Sequence, residues 1–268
     1  MTWDGTGQHV LLTGASSGIG AAAAVELARA GARVCLVARR EERLAEVLEQ
    51  VHEHSPDSTM LPADLSDLDG LASVAGRARE ALDGRIDVLV NNAGVPKRRR
   101  VVGMSPADVE SVMAMNYFSP VRLTLAVLPQ MVERNRGHVL NVSSMGVHMA
   151  AFGVGAYSAS KAALEMFTES LHVELAHTDV RAHLFVPGTT LSEFSTPKAD
   201  NDPPFPVDPA TAATSEEVAV ALVAALGDDR LVTYATERDA ATSATKAADP
   251  NAFLAGLRPT FAQLTGPS

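Results

Sequence analysis

A tyrosine and a lysine stand four residues apart in the segment Tyr157-Ser-Ala-Ser-Lys161. On a helix, side chains at this spacing project from the same face. A phenol with an unperturbed pKa of about 10 is a poor base at neutral pH, and a nearby ammonium group favours its phenolate. The pair therefore predicts proton transfer at Tyr157, tuned by Lys161, although the same two residue types are also common on exposed helices.

A glycine-rich turn follows the first apolar run of the chain. It reads Thr13-Gly-Ala-Ser-Ser-Gly-Ile-Gly20 and leads into a predicted helix. Gly14 permits a tight turn, the backbone near Gly18 can approach a pyrophosphate, and Gly20 allows close packing of the helix on the strand. The pattern predicts a dinucleotide site, with a plain tight connection as the alternative. Its predicted contacts are Gly14, Ser16, Ser17, Gly18, Ile19 and Gly20.

The spacing G-x-x-x-G-x-G in this turn resembles the glycine motif of the short-chain dehydrogenase/reductase family. Three further segments match that family: Asn91-Asn92-Ala93-Gly94 after the fourth strand, Ser144 ahead of Tyr157, and the Pro187-Gly188 loop after the sixth strand. The resemblance implies a Rossmann-type α/β fold, a doubly wound parallel sheet of about seven strands flanked by helices on both faces. It also implies a nicotinamide-dependent oxidoreductase acting on CH–OH donors, which interconverts a ketone or aldehyde and an alcohol.

By this resemblance, four residues form the catalytic group. Tyr157 exchanges a proton with the carbonyl oxygen, while Lys161 also holds the nicotinamide ribose hydroxyls. Ser144 donates to the developing oxyanion, with Ser143 as its local rival. Asn116 matches the asparagine that bends the long helix and supports a water-linked proton relay through the lysine. A buried asparagine there could instead be purely structural.

The resemblance also assigns cofactor contacts outside the glycine turn. These are Asp64, Leu65, Asn92, Ala93, Gly94, Pro187, Gly188 and Thr190, together with Tyr157 and Lys161. From residue type alone, Asn-Asn-Ala-Gly is also typical of a strand-ending turn, and Asp64 of a helix cap. In the Pro187-Gly188 loop, Ser192 replaces the family's threonine. Which of Thr189, Thr190 and Ser192 contacts the carboxamide stays open.

The end of the second strand decides between the two nicotinamide cofactors. An acid at this place would bind the ribose 2′-hydroxyl and repel a 2′-phosphate, but Ala38 stands there and Arg39 and Arg40 follow. A guanidinium group offers a fork of donors to phosphate, so NADP(H) is predicted over NAD(H). Glu41 and Glu42 act against this prediction, and a solvated charge pair is the alternative.

Short aliphatic runs alternate with helical periodicity, which predicts one β-α domain over residues 1–268. The strand predictions are 10–12, 34–37, 88–90, 138–142 and 182–186, with 231–234 as a seventh strand. The helix predictions are 18–30, 41–53, 68–82, 106–134, 156–176 and 215–226. Ser105, Pro106 and Asp108 mark a capped helix start. Residues 192–213 are predicted to form a substrate-side loop, and 237–268 a tail of unclear role.

Composition limits the partners. A formal charge of −10 opposes nucleic-acid binding and anionic membranes. No apolar run approaches the length of a spanning helix, and the first residues lack the apolar core of a signal peptide. The single cysteine, Cys35, suits a reducing compartment. Together these features predict a cytoplasmic protein. No metal site is predicted. The resemblance further implies a homodimer or homotetramer, paired through the outer faces of the long helices.

Residues 145–156 are expected to line the substrate mouth, and they are mostly apolar. This favours a hydrophobic carbonyl or alcohol over a sugar. His148 is interpreted as a loop residue facing solvent, with a substrate contact as the alternative. The basic run Lys97–Arg100 is interpreted as solvated, with an acidic partner or a thioester-linked substrate as the alternative. Rival functions on this fold are a nucleotide-binding regulator and a non-redox lyase or epimerase.

Overall fold

The computed structural model describes residues 3–197, 200–203 and 207–265. A seven-stranded sheet runs through the centre in the order β3-β2-β1-β4-β5-β6-β9, with all neighbours parallel. Its strands are β1 (His9–Thr13), β2 (Arg33–Ala38), β3 (Thr59–Pro62), β4 (Val88–Asn91), β5 (Gly137–Val142), β6 (Val180–Val186) and β9 (Val232–Tyr234). A small second sheet pairs β7 (Thr190–Leu191) with β8 (Ala213–Thr214). The predicted fold class is confirmed.

Helices cover both faces of the large sheet. They are α1 (Gly18–Arg29), α2 (Glu41–His52), α3 (Leu71–Ala81), α4 (Pro106–Met113), α5 (Ser119–Glu133), α6 (Met145–Met149), α7 (Gly155–Glu174), α8 (Ser215–Ala225), α9 (Glu237–Ala248) and α10 (Pro250–Thr265). One apolar core lies under α1, α2 and α8, and the other under α3, α5 and α7. Because both faces are covered, the central strands are continuous apolar runs, as expected for parallel strands.

The helix predicted over 106–134 is interrupted. It begins with the predicted cap, in which Ser105 and Asp108 form a reciprocal capping box ahead of Pro106. A π-helical turn, Ala114–Phe118, then separates α4 from α5. This turn contains Asn116, whose side-chain amide bonds to the backbone of the neighbouring segment at Val95.

Three further differences concern strands, loops and termini. β3 and the short β7–β8 pair were not among the predicted strands. The predicted loop 192–213 contains a single-turn 3₁₀ helix, Glu193–Ser195, and β8, while 198–199 and 204–206 of it lie outside the described residues. The predicted tail is helical over α9 and α10, and 266–268 lie outside the described residues. Among the described residues, no helix has the length and apolar character needed to cross a membrane.

The buried His183 and the half-buried His138 form a pair on β6 and β5, away from the glycine turn. His138 Nδ1 and His183 Nε2 lie 2.9 Å apart, so one ring donates and the other accepts. Burial lowers the pKa of His138 to about 4 and that of His183 to about 3, and the nearby Arg181 acts in the same direction. Protonation of both rings would leave two donors facing each other and remove the hydrogen bond.

Acid is therefore expected to destabilise the fold through this pair. In the unfolded chain both histidines are protonated below about pH 6.5. In the folded chain His138 is protonated only below about pH 4 and His183 only below about pH 3. The free energy of unfolding should fall between these limits by about 1.4 kcal/mol per pH unit for each histidine. Urea unfolding of His183→Phe should show a flatter pH dependence over this window. The exposed His177→Gln should retain the full slope, and an equally steep His183→Phe profile would contradict the prediction.

Candidate active site

A cavity of about 1030 Å³ opens at the carboxyl ends of the strands. It lies where the strand order reverses between β1 and β4, since β2 and β3 continue on one side of β1 and β5 and β6 on the other side of β4. Loops from neighbouring strands diverge at such a point and leave a crevice for a ligand. Predicted residues that line it are Gly14, Ser16, Ser17, Gly18, Ile19, Gly20, Arg39, Arg40, Leu65, Asn92, Ala93, Gly94, Ser144, Tyr157, Lys161, Pro187, Gly188 and Thr190.

The glycine turn has the geometry that a close-approaching dinucleotide needs. Gly14 and Gly18 have φ values of 70° and 55°, a region that favours glycine. A Cβ atom on Gly20 would lie 2.2 Å from the Gly14 carbonyl oxygen, so a side chain is excluded where α1 packs on the turn. Ser17, at the start of α1, makes no capping bond, which leaves the first amide groups of the helix available to an anion.

The two arginines after β2 differ in their contacts. Arg40 donates to the hydroxyl groups of Ser16 and Ser17 and pairs with Glu193 at 2.8 Å. Arg39 has a side chain that is 62% exposed and lies 3.9 Å from a carboxylate oxygen of Asp64. Both guanidinium groups therefore border the cavity beside the glycine turn, but Arg40 is already bonded to the turn and to the loop opposite.

Tyr157 is half-buried near the start of α7, where this helix faces the end of β5. Its side chain lies beside that of Ser144, the residue that follows Ser143 after β5, since a Cβ atom on Gly146 would lie 3.3 Å from both Ser144 Oγ and Tyr157 Cε1. The centroid of its ring lies 5.7 Å from that of Phe194. Burial raises the pKa of Tyr157 to about 12, and the nearby Ser144 side chain acts in the opposite direction. This direction is opposite to the expected lowering by Lys161. The free-energy cost of removing the phenolate from water exceeds the stabilisation that neighbouring groups provide. Ser144, rather than Ser143, is the hydroxyl beside the phenol.

Lys161 lies one helical turn beyond Tyr157 and is buried. Its Nζ donates to the carbonyl of Val142 at 2.8 Å, and burial lowers the pKa of Lys161 to about 8. Asn116 is fully buried behind the cavity and bonds to Ser160 and to both backbone groups of Val95. Its amide therefore fixes the π-helical turn against α7, next to the lysine.

Several residues have roles that differ from, or add to, those predicted. Asp64 accepts hydrogen bonds from the backbone and hydroxyl of Ser66, which is the local turn-forming role of an aspartate. Thr190 donates to the carbonyl of Gly188, while Thr189 and Ser192 also border the cavity. Phe194, Thr196 and Val207 also line the cavity and come from the predicted substrate-side loop 192–213. Ala63, Val95, Pro96 and Met115 are lining residues that were not predicted from the sequence. Their apolar or small side chains carry no motif that would have identified them.

The basic run after Asn-Asn-Ala-Gly is not a solvated patch. Lys97 is buried and pairs with Asp108 at 2.6 Å and Asp200 at 3.3 Å. Arg98 is also buried, and it donates to the backbone carbonyls of Phe194, Thr196 and Asp202. The expectation of a solvated surface was wrong for these two side chains, because the acidic groups and carbonyls that satisfy them come from distant segments. Lys97 and Arg98 thus hold the loop that carries the cavity-lining residues Phe194 and Thr196.

His148 likewise differs from the expectation of a solvent-facing loop residue. It lies in α6, and its ring contacts Glu165 at 3.2 Å through Nε2 and Ser243 at 3.0 Å through Nδ1. No sequence motif links these three residues, which come from α6, α7 and α9.

Comparison with known proteins identifies the class that this fold and site define. The family model described as short chain dehydrogenase matches residues 8–203, and the chain belongs to that family. A solved structure of a short-chain dehydrogenase from Sphingobium yanoikuyae in complex with NADPH is 30% identical, with a TM-score of 0.76 over 91% of this chain and 96% of that chain. A short-chain dehydrogenase from Streptomyces avermitilis is 28% identical, with a TM-score of 0.79 over 94% and 96% of the two chains.

Two curated relatives carry names that bear on activity. An uncharacterized oxidoreductase from Mycobacterium tuberculosis is 43% identical over 180 residues, 65% of this chain and 52% of its own length. A fatty acyl-CoA reductase from Acinetobacter baylyi is 41% identical over 171 residues, 63% of this chain and 58% of its own length. The chain thus spans about half the length of these relatives.

Proposed function

We propose that this protein is an NADP(H)-dependent oxidoreductase that interconverts a ketone or aldehyde and an alcohol on a largely hydrophobic substrate. The observation that carries the proposal is the close approach of the Tyr157 and Ser144 side chains, with Lys161 one turn away, in the same cavity as the glycine turn. A proton donor and an oxyanion donor thus lie together beside a dinucleotide cradle, as carbonyl reduction requires.

The residues present fit a nicotinamide dinucleotide. The positive φ angles of Gly14 and Gly18 and the uncapped start of α1 suit the pyrophosphate, and Arg39 suits a 2′-phosphate. Lys161, near the Gly94 backbone, suits the nicotinamide ribose. When bound, the cofactor supplies or accepts the hydride.

Tyr157 and Ser144 then act on the carbonyl oxygen. Because burial raises the pKa of Tyr157 to about 12, its phenol is protonated at neutral pH and can donate to that oxygen during reduction. Ser144 donates a hydrogen bond to the same oxygen as negative charge develops. Alcohol oxidation needs the phenolate instead, so its rate should rise with pH. Lys161, in its charged form, stabilises that phenolate.

The substrate end of the cavity favours an apolar molecule. Its walls include Met145, Met149, Ala151, Val154, Phe194 and Val207. An apolar lining binds alkyl or aryl groups and lacks the many polar partners that sugar hydroxyls need. The fatty acyl-CoA reductase among the relatives supports long-chain and thioester-linked carbonyls as members of this substrate class.

Spectrophotometry at the nicotinamide absorbance tests the proposal. NADPH and NADH should be compared with aliphatic, aromatic, steroidal and thioester-linked carbonyls, and we expect NADPH consumption with an apolar member. Consumption only with NADH would contradict the cofactor assignment, and turnover of a substrate without net cofactor change would favour a lyase or epimerase. Tight nucleotide binding without turnover of any carbonyl or alcohol would favour a regulatory protein. A cytoplasmic location and a homodimer or homotetramer stay predictions from the sequence.

Arg98 is predicted to keep the substrate loop in place. Arg98→Met removes three hydrogen bonds to the loop backbone, and one charge-assisted bond is worth about 1.5–3 kcal/mol. We expect the KM for the carbonyl to rise by about tenfold or more and proteolysis of the loop to accelerate, with the Kd for NADPH little changed. The exposed Arg100→Met is the matched control, since the Arg100 side chain packs over Phe152 instead. Equal substrate KM values in the two variants would refute this role.

A further inference from the structure

A buried carboxylate lies one turn beyond the catalytic lysine. Glu165 follows Lys161 by four residues on α7, and its side chain is only 10% exposed. Tyr157, Lys161 and Glu165 therefore succeed one another along a single face of this helix. Burial of a carboxylate is costly unless charges and hydrogen bonds compensate for it. The surroundings of Glu165 show how this chain compensates.

Two side chains from other elements hold the Glu165 carboxylate. Ser143, directly after β5, donates its hydroxyl to Oε1, and His148 of α6 contacts the same oxygen at 3.2 Å. The other ring nitrogen of His148 contacts Ser243 of α9, which accepts a hydrogen bond of 2.8 Å from the Tyr234 hydroxyl of β9. The carboxylate is thus fixed by a continuous network that crosses four elements.

The adjacent serines after β5 face different partners. Ser144 lies beside the Tyr157 ring and accepts a hydrogen bond from the Gly146 amide, whereas Ser143 donates to Glu165. The end of β5 therefore positions Ser144, which faces the reacting oxygen, and also Ser143, which holds Glu165 next to Lys161 on α7. A movement of Glu165 would be transmitted to Ser143 and so to the strand end that carries Ser144.

We infer that Glu165 is a positioning residue of the catalytic centre: its carboxylate, fixed by Ser143 and His148, keeps Lys161 in the charged form that stabilises the Tyr157 phenolate. This inference rests on the proposed function. Lys161 is buried and donates to an uncharged carbonyl, so it needs a nearby anion to stay charged. Glu165 is in position to supply that anion, and its negative charge raises the pKa of Lys161 against the effect of burial.

Among the described residues, other charged or titratable groups lie around Glu165 on several elements. On α7 these are Lys161 itself and Tyr157, and from α6 the group is His148. From β9 and α9, Tyr234 approaches through Ser243, and Lys246 donates to the backbone carbonyl of Val147. Glu169, one turn further along α7, is exposed. It therefore provides a control in which the same charge is removed from the same helix.

The decisive measurement is the titration of Lys161 in the cofactor-free protein. Carbon-13 NMR of the lysine Cε, assigned by the signal lost in Lys161→Arg, gives its midpoint directly. In Glu165→Gln, which keeps the size and an acceptor for Ser143, we expect the midpoint to fall by about one pH unit. Glu169→Gln and Glu165→Asp should stay near the native midpoint. An unchanged midpoint in Glu165→Gln, or an equal fall in Glu165→Asp, would overturn the inference.

Kinetics provide the second readout. In Glu165→Gln, the acidic limb of the pH profile for alcohol oxidation should move to higher pH and the basic limb to lower pH, because the phenolate loses support and the ammonium is lost earlier. Should this variant not fold, Glu165→Met supplies the same loss of charge with a similar length. No turnover by the native protein would contradict the proposed function, while the NMR titration would still decide the inference.

Discussion

Replacing Tyr157 with phenylalanine is expected to lower kcat/KM for carbonyl reduction by roughly 10²–10⁴-fold, the usual contribution of a positioned general acid. The substitution removes the proton donor beside Ser144 but keeps the ring beside Phe194. Packing and the cavity wall should therefore persist. The loss should appear mainly in kcat, since the hydroxyl acts on charge that develops in the transition state.

The controls separate chemistry from binding. Tyr117→Phe removes a phenol from the π-helical turn outside the cavity and should leave kcat/KM unchanged. The Kd for NADPH, measured by nucleotide fluorescence, should be similar in the native protein and in Tyr157→Phe. A Tyr157→Phe variant that retains more than a tenth of the native kcat would place the proton donor elsewhere.

The features that sequence predicted well are those encoded locally. The parallel strands are continuous apolar runs, and burial on both faces leaves no alternation to misread. The capping box of Ser105 and Asp108 also depends on residues three apart. The glycine turn was recognisable because Gly14 and Gly20 are required by backbone geometry that few other residues tolerate.

The features that sequence missed depend on distant partners. In the sequence, Lys97 and Arg98 have the pattern of a solvated basic run. Their partners, Asp200 and the carbonyls of the loop, lie about a hundred residues further along the chain. Glu165 has the sequence context of an exposed helix residue, and its burial follows only from the positions of Ser143 and His148. Helical periodicity also cannot reveal the one extra residue of a π-helical turn at Asn116, because the buried face continues on both sides of it.

Replacing Arg39 with aspartate is expected to reverse the cofactor preference. The guanidinium is exposed at the cavity edge, with one carboxylate at 3.9 Å, so it is available to a 2′-phosphate. Loss of one charge-assisted interaction of about 1.5–3 kcal/mol should raise the KM for NADPH by roughly 10- to 150-fold. The new carboxylate would repel the phosphate and could accept hydrogen bonds from the ribose 2′-hydroxyl, so kcat/KM for NADH should rise.

Arg40→Asp distinguishes phosphate recognition from support of the turn. Arg40 bonds to Ser16, Ser17 and Glu193, so its loss should weaken NADPH and NADH alike and loosen the Glu193 loop. Arg39→Asp should change the two cofactors in opposite directions, because Arg39 contacts Asp64 and not the turn. Steady-state kinetics with both cofactors on both variants therefore separate the two roles. If Arg39→Asp still strongly prefers NADPH while Arg40→Asp loses that preference, the phosphate contact belongs to Arg40.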